Sequence, residues 1–97
     1  MAKGYWIANN IVQNADQYDA YRVAIGPVFA RYGARFISRG GPQEVKEGTA
    51  FPRTVVIEFD SYKTALACYD DPEYQNARRL RSTASDGTLT IFEGYDG

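Results

Sequence analysis

Residues 54–59 read Thr-Val-Val-Ile-Glu-Phe. Four β-branched residues in a row, closed by a Phe, predict a strand over Thr54 to Phe59. Alternation sends Val55, Ile57 and Phe59 to one side and Val56 to the other. A strand that is apolar on both sides belongs in the middle of a sheet, with something covering each face. Glu58 interrupts that run, and a carboxylate there has to be paired, hydrogen-bonded or protonated.

Outward from this strand, the chain sorts itself into alternating elements. Towards the N-terminus, Arg35 to Arg39 is a short strand closed by the turn residues Gly40-Gly41-Pro42. Gln43 to Glu47 is a candidate continuation after a bulge, and 48–52 is a loop. Before them, Tyr18, Tyr21, Ile25, Val28, Phe29 and Tyr32 recur with helical spacing. Asn14 and Gln17 resemble a capping box at the start of that helix, and Gly33 ends it. Gly26-Pro27 inside the pattern predicts two helical pieces meeting at a kink. Tyr5 to Val12 is the first strand.

Towards the C-terminus, Asp60-Ser61 caps a helix carrying Ala65, Leu66 and Tyr69 on its inner face. Asp71-Pro72 restarts a helix, with Asp as N-cap and Pro at the first helical position. Its inner residues are Tyr74, Ala77 and either Leu80 or Arg81. Residues 83–87 read as polar loop, and Thr88 to Tyr95 as the last strand.

The order β-α-β-β-α-β predicts one α+β domain over residues 1–97. Its fold is a ferredoxin-like sandwich: a four-stranded antiparallel sheet, first and third strands central, helices on one side. The first strand is also apolar on both sides, with Ile7 and Ile11 on one and Trp6, Ala8 and Val12 on the other. The chain has nothing left to cover the second face. A homodimer through the sheet face is therefore expected.

Composition excludes several function classes. Among 97 residues there is no His and a single Cys, Cys68. That removes His-based triads, Cys-His dyads, haem on a proximal His, zinc fingers and disulfide scaffolds, so neither a cofactor nor a metal site is expected. Eleven Lys and Arg against twelve Asp and Glu leave a net charge of −1, without the basic excess of a nucleic-acid binder. The apolar stretch near the N-terminus is too short for a signal peptide or a membrane span, which makes the cytoplasm the expected location.

Taken together, Gly4-Tyr5-Trp6, Tyr32-Gly33-Ala34-Arg35-Phe36, Arg39-Gly40-Gly41, Val55-Val56-Ile57-Glu58-Phe59, Tyr69, Glu73-Tyr74-Gln75 and Glu93-Gly94-Tyr95-Asp96-Gly97 resemble the domain of unknown function 1330 family. One departure is Asp60, where that family often has Pro. The resemblance implies the dimeric α/β-barrel superfamily, which includes cofactor-independent monooxygenases, haem-degrading enzymes, chlorite dismutase-like proteins and stress-responsive proteins. It implies a fold rather than a reaction.

In such barrels a ligand lies between sheet and helices, which selects the residues to question. Glu58 reads either as a general base with a raised pKa or as half of an ion pair with Arg39 or Arg53. Arg39, before two glycines, would grip a carboxylate or be a solvated turn residue. Asn9 would orient a carbonyl or lie exposed. Tyr18 and Tyr21 would donate phenol hydrogens to a ligand or serve as core. Trp6 would stack on a flat ligand or seal the dimer face. Cys68 reads as an inert buried thiol. Arg78, Arg79 and Arg81 read as a solvated helix end. Two functions stay open: a cofactor-independent enzyme using Glu58 and Arg39 on a small organic molecule, and a non-catalytic small-ligand-binding or stress-associated dimer.

Overall fold

The computed structural model describes residues 2–96; Met1 and Gly97 lie outside it. Seven elements follow one another: β1 (Gly4–Val12), α1 (Ala15–Tyr32), β2 (Arg35–Arg39), β3 (Arg53–Phe59), α2 (Tyr62–Asp70), α3 (Pro72–Ser82) and β4 (Ser85–Glu93). The sheet is antiparallel throughout, in the order β2-β3-β1-β4. The fold is thus the ferredoxin-like α+β sandwich, with β1 and β3 central as the alternation of apolar residues required.

All three helices share one face of the sheet. Trp6, Val55, Ile57 and Phe59 point to that side and pack with Tyr18, Tyr21, Ile25, Val28 and Phe29 of α1, Ala65 and Cys68 of α2, and Tyr74 and Ala77 of α3. Trp6 sits at the centre, only 1% exposed, ringed by Phe29, Phe59, Tyr69 and Tyr74, and its indole N–H donates to the Ala65 carbonyl at 2.9 Å. The expectation that Trp6 seals a dimer face is therefore corrected: helices take its side of β1. Tyr5, Ile7, Asn9 and Ile11 take the other side, which no helix covers. The molecule is accordingly a slab of 37 × 35 × 17 Å.

Helix α1 runs unbroken through Pro27, so the expected two pieces are one. Pro27 and Gly26 face solvent, while buried residues on both sides of them hold the helix to the sheet. The carbonyl that loses a partner belongs to Val23, which is 77% exposed, so water reaches it. Only half of the capping box forms. Asn14 accepts from the Gln17 N–H at 3.1 Å, whereas the Gln17 amide donates to the Leu80 carbonyl and the Asn14 N–H to that of Ala84. Ser61 and Asp71 cap α2 and α3 through their side chains, with Pro72 at the start of α3. Asp60, at the departure from the family pattern, pairs with Arg35 at 3.1 Å.

Two further boundaries differ from expectation. Residues 43–47 form no strand. β4 starts at Ser85 and ends at Glu93, because the polar stretch read as loop pairs with the end of β1, Ser85 opposite Val12 and Gly87 opposite Asn10. An edge strand with one solvated side tolerates such polar residues.

Candidate functional site

Between α1, α3 and the sheet lies a cavity of about 40 Å³, open at one side. That is room for roughly three ordered waters, or for the head of a small organic molecule. Its floor is aromatic and aliphatic: Trp6, Ala8, Val55 and Ile57 from the sheet, Ile25 from α1 and Tyr74 from α3. Its rim carries Arg22, Arg39, Arg53 and Arg81, and no Asp or Glu is among the lining residues.

Each arginine arrives by a local device. β2 bulges at Ile37, so Phe36 pairs with Ile57 but Ser38 pairs with Val56. The extra residue shifts the alternation, and Phe36 and Arg39, three apart, share the helix-covered side. There the Arg39 guanidinium stacks 4.4 Å from the centre of the Phe36 ring. Arg53 continues the inward-facing series of Val55, Ile57 and Phe59. Its path to the cavity crosses Gly40 (φ 80°), where a Cβ would lie 2.7 Å from the Arg53 Nε. Any side chain at position 40 would displace it. Arg53 then donates to the Tyr18 hydroxyl at 2.9 Å. From α3, Arg81 lies 5.7 Å over the Tyr21 ring, and from α1, Arg22 lies 5.2 Å over that of Tyr18.

Arg22 pairs with Asp19 at 3.3 Å, but among the described residues Arg39, Arg53 and Arg81 have no acidic partner within ion-pair distance. The hydroxyls of Tyr21 and Tyr74 meet at 3.0 Å inside the core. Burial, reinforced by Tyr74, holds the Tyr21 phenol far above its ordinary range, and burial raises Tyr74 as well, so both stay protonated. Asn10, opposite Gly87, is buried at 5% exposure, and its amide N–H reaches towards the Tyr18 hydroxyl at 3.4 Å.

Of the residues singled out from sequence, Arg39, Tyr18, Tyr21 and Trp6 line this cavity, and Glu58 and Asn9 do not. Glu58 lies on the open face of β3, where it accepts from Arg35 Nε and the Tyr5 hydroxyl, each at 3.0 Å. The Arg35 hydrogen bond, with help from Tyr5, holds its carboxyl below the ordinary value, outweighing desolvation. A raised pKa is thus corrected to a lowered one, and the partner is Arg35 rather than Arg39 or Arg53. The bulge puts Arg39 on the wrong side of the sheet for Glu58. Asn9, on the same open face, accepts from the Phe51 N–H at 2.8 Å and donates to the carbonyls of Phe51 and Arg53, pinning the chain that leads into β3.

Asn10, Arg53, Arg81 and Tyr74 complete the cavity and were not singled out as ligand groups. Parity carried the signal for two of them. Asn10 continues the Trp6-Ala8 series and Arg53 the Val55-Ile57-Phe59 series, polar residues on buried stripes. Arg81 turns inward, so the solvated-end reading of its cluster holds for the exposed Arg79 and fails for Arg81. Cys68 is buried and raised to about 12 by desolvation, with Asp71 adding to it, as an inert thiol should be. Among the described residues, no group of three or more His, Cys, Asp or Glu is placed to hold a metal, and no helix is long and apolar enough to cross a membrane.

No curated protein matches the chain. Solved structures do. A protein of unknown function from Rhodopseudomonas palustris is 20% identical, with a TM-score of 0.79 over 99% of this chain and 85% of the other. SnoaB, a cofactor-independent oxygenase from Streptomyces nogalater, is 9% identical, with a TM-score of 0.68 over 100% of this chain and 97% of the other. A dimeric ferredoxin-like protein of unknown function from Thermobifida fusca is 17% identical, with a TM-score of 0.61 over 94% and 90%. At these identities the likeness concerns the fold. The family described as a domain of unknown function (DUF1330) matches residues 3–95, and the chain belongs to it.

Proposed function

We propose that this protein binds a small organic anion in the cavity between α1, α3 and the sheet, and does so as a homodimer. One observation carries the reading: four guanidinium groups and no carboxylate line an aromatic-floored cavity. Arginine stays charged under all physiological conditions, and its planar fork suits a carboxylate. Three of the four lack an acidic partner among the described residues, so a bound anion would supply the missing counter-charge. The aromatic floor favours an organic anion over a bare inorganic one.

Binding is favoured over proton-abstracting catalysis because no Asp, Glu or His is among the lining residues. Glu58 is engaged by Arg35 on the other face, and the lining tyrosines with shifted pKa are shifted upward. A second reading, a cofactor-independent enzyme, is favoured by the hydrogen-bonded Tyr21 and Tyr74 hydroxyls, which with Arg81 would stabilise an oxyanion developing on the ligand. Dimerisation is supported by the open sheet face and by the dimeric state described for the Thermobifida fusca neighbour. The single buried thiol fits a reducing cytoplasm.

Thermal melting in millimolar propionate, with sodium chloride at equal ionic strength as control, tests the anion site. A ligand that binds only the folded state raises the melting temperature. Propionate should do so for the unaltered protein and not for Arg53→Met. The absence of any carboxylate-specific rise would overturn the proposal.

A further inference from the structure

The cavity also holds an acceptor that four arginines do not explain. Asn10 lines it at 5% exposure; its Nδ2 faces the Tyr18 hydroxyl, while its Oδ1 is buried with no hydrogen-bond partner. A buried carbonyl oxygen left unpaired is costly, and a native protein keeps one mainly where something else completes it. β4 is built to close over this residue. Gly87 stands opposite Asn10, and a Cβ there would lie 2.1 Å from the Asn9 carbonyl and 2.7 Å from the Asn10 Cα, so glycine lets the strand lie flush against this residue.

What completes Oδ1 has to bring a hydrogen-bond donor into a cationic cavity. An ammonium would be repelled by four guanidinium groups, which leaves a neutral donor, an ordered water or a hydroxyl of the ligand itself. Arg53 and Asn10 Nδ2 both donate to the Tyr18 hydroxyl, at 2.9 and 3.4 Å, so two hydrogen bonds link the anion-gripping group to the carboxamide that carries the acceptor. A hydroxyl on a carbon close to a carboxylate spans such a gap.

Resting on the anion-binding reading above, we infer that the ligand is a small hydroxy acid. Its carboxylate sits between Arg53 and Arg39, and its hydroxyl donates to Asn10 Oδ1. Asn10 is then the specificity-determining residue, and amino acids of the same size are rejected.

Calorimetric titration of the purified protein with lactate, propionate, pyruvate and alanine tests this. Lactate should bind about ten-fold more tightly than propionate, the scale expected when a polar site loses its partner. Pyruvate and alanine should bind more weakly than lactate. Asn10→Leu should erase the preference for lactate over propionate. Equal affinity for lactate and propionate overturns the inference and leaves the anion site standing. Tighter binding of pyruvate than lactate overturns it too, because a donor rather than an acceptor would then face the cavity. A lactate preference that survives in Asn10→Leu also overturns it. If no carboxylate binds, the anion reading fails and this one with it. The comparison among the four probes on the unaltered protein decides the matter even if the variant does not fold.

Discussion

Glu58 shows how a carboxylate in an apolar strand keeps its charge. Desolvation on the sheet face disfavours its charge, and two donors, Arg35 and Tyr5, more than offset that. Its pKa is depressed below the ordinary 4.5, so the stability it contributes is fully present above that value and lost as pH falls through the lower, folded one. Acid-induced unfolding followed by circular dichroism should therefore be less steep in Glu58→Gln than in the unaltered protein. Identical acid profiles would show that the trio contributes nothing. That Glu58 needed a partner was legible in residues 54–59. Which partner was not, because the choice depends on Arg35 lying directly across from it in the β2–β3 register. The arginine rim was half legible for the same reason. Arg53 sits on a readable stripe, whereas Arg39 reaches the cavity only through a bulge that no local pattern announced.

Among the elements, α1 carries the sharpest conflict between local preference and tertiary packing. A proline in a helix interior removes one hydrogen bond and crowds the preceding turn, at a cost of about 3 kcal/mol in an isolated helix. Here Tyr18, Tyr21 and Ile25 before it, and Val28 and Phe29 after it, are all buried against the sheet. Their packing outweighs the break, and the helix continues. Pro27→Ala, at an exposed position, should restore the bond to the Val23 carbonyl and raise stability by about 1–3 kcal/mol, read as a higher melting temperature. A lowered melting temperature would mean that the proline stabilises the fold through the unfolded chain instead. The capped starts of α2 and α3 were read correctly from Ser61 and Asp71-Pro72, since caps are local chemistry. The start of β4 was missed because strand pairing with β1, not its own polar residues, makes 85–87 a strand.

For the whole molecule, the decisive feature is the uncovered side of the sheet. Tyr5, Ile7, Ile11 and Val56 lie there, with Phe92 stacked 5.5 Å from Tyr5, and Ile11 and Phe92 are each 39% exposed. A second copy would cover this face and leave the arginine cavity on the opposite side of the sheet untouched. Ile7→Arg should then shift sedimentation from the mass of two chains to that of one while propionate still raises the melting temperature. A variant that still sediments as two chains would place the interface elsewhere. By itself, the sequence determined the strands at 54–59 and near the N-terminus, their central place, the helix caps and the exclusion of His chemistry. These follow from local backbone preference, alternation and composition, which act within a few residues. The tertiary structure alone decided which side of β1 the helices cover, and hence that Trp6 and Asn10 face the cavity while Asn9 and Glu58 do not. Both sides of the central strands are apolar, so alternation could define two faces but could not assign them. The assignment comes from packing between residues far apart in the chain.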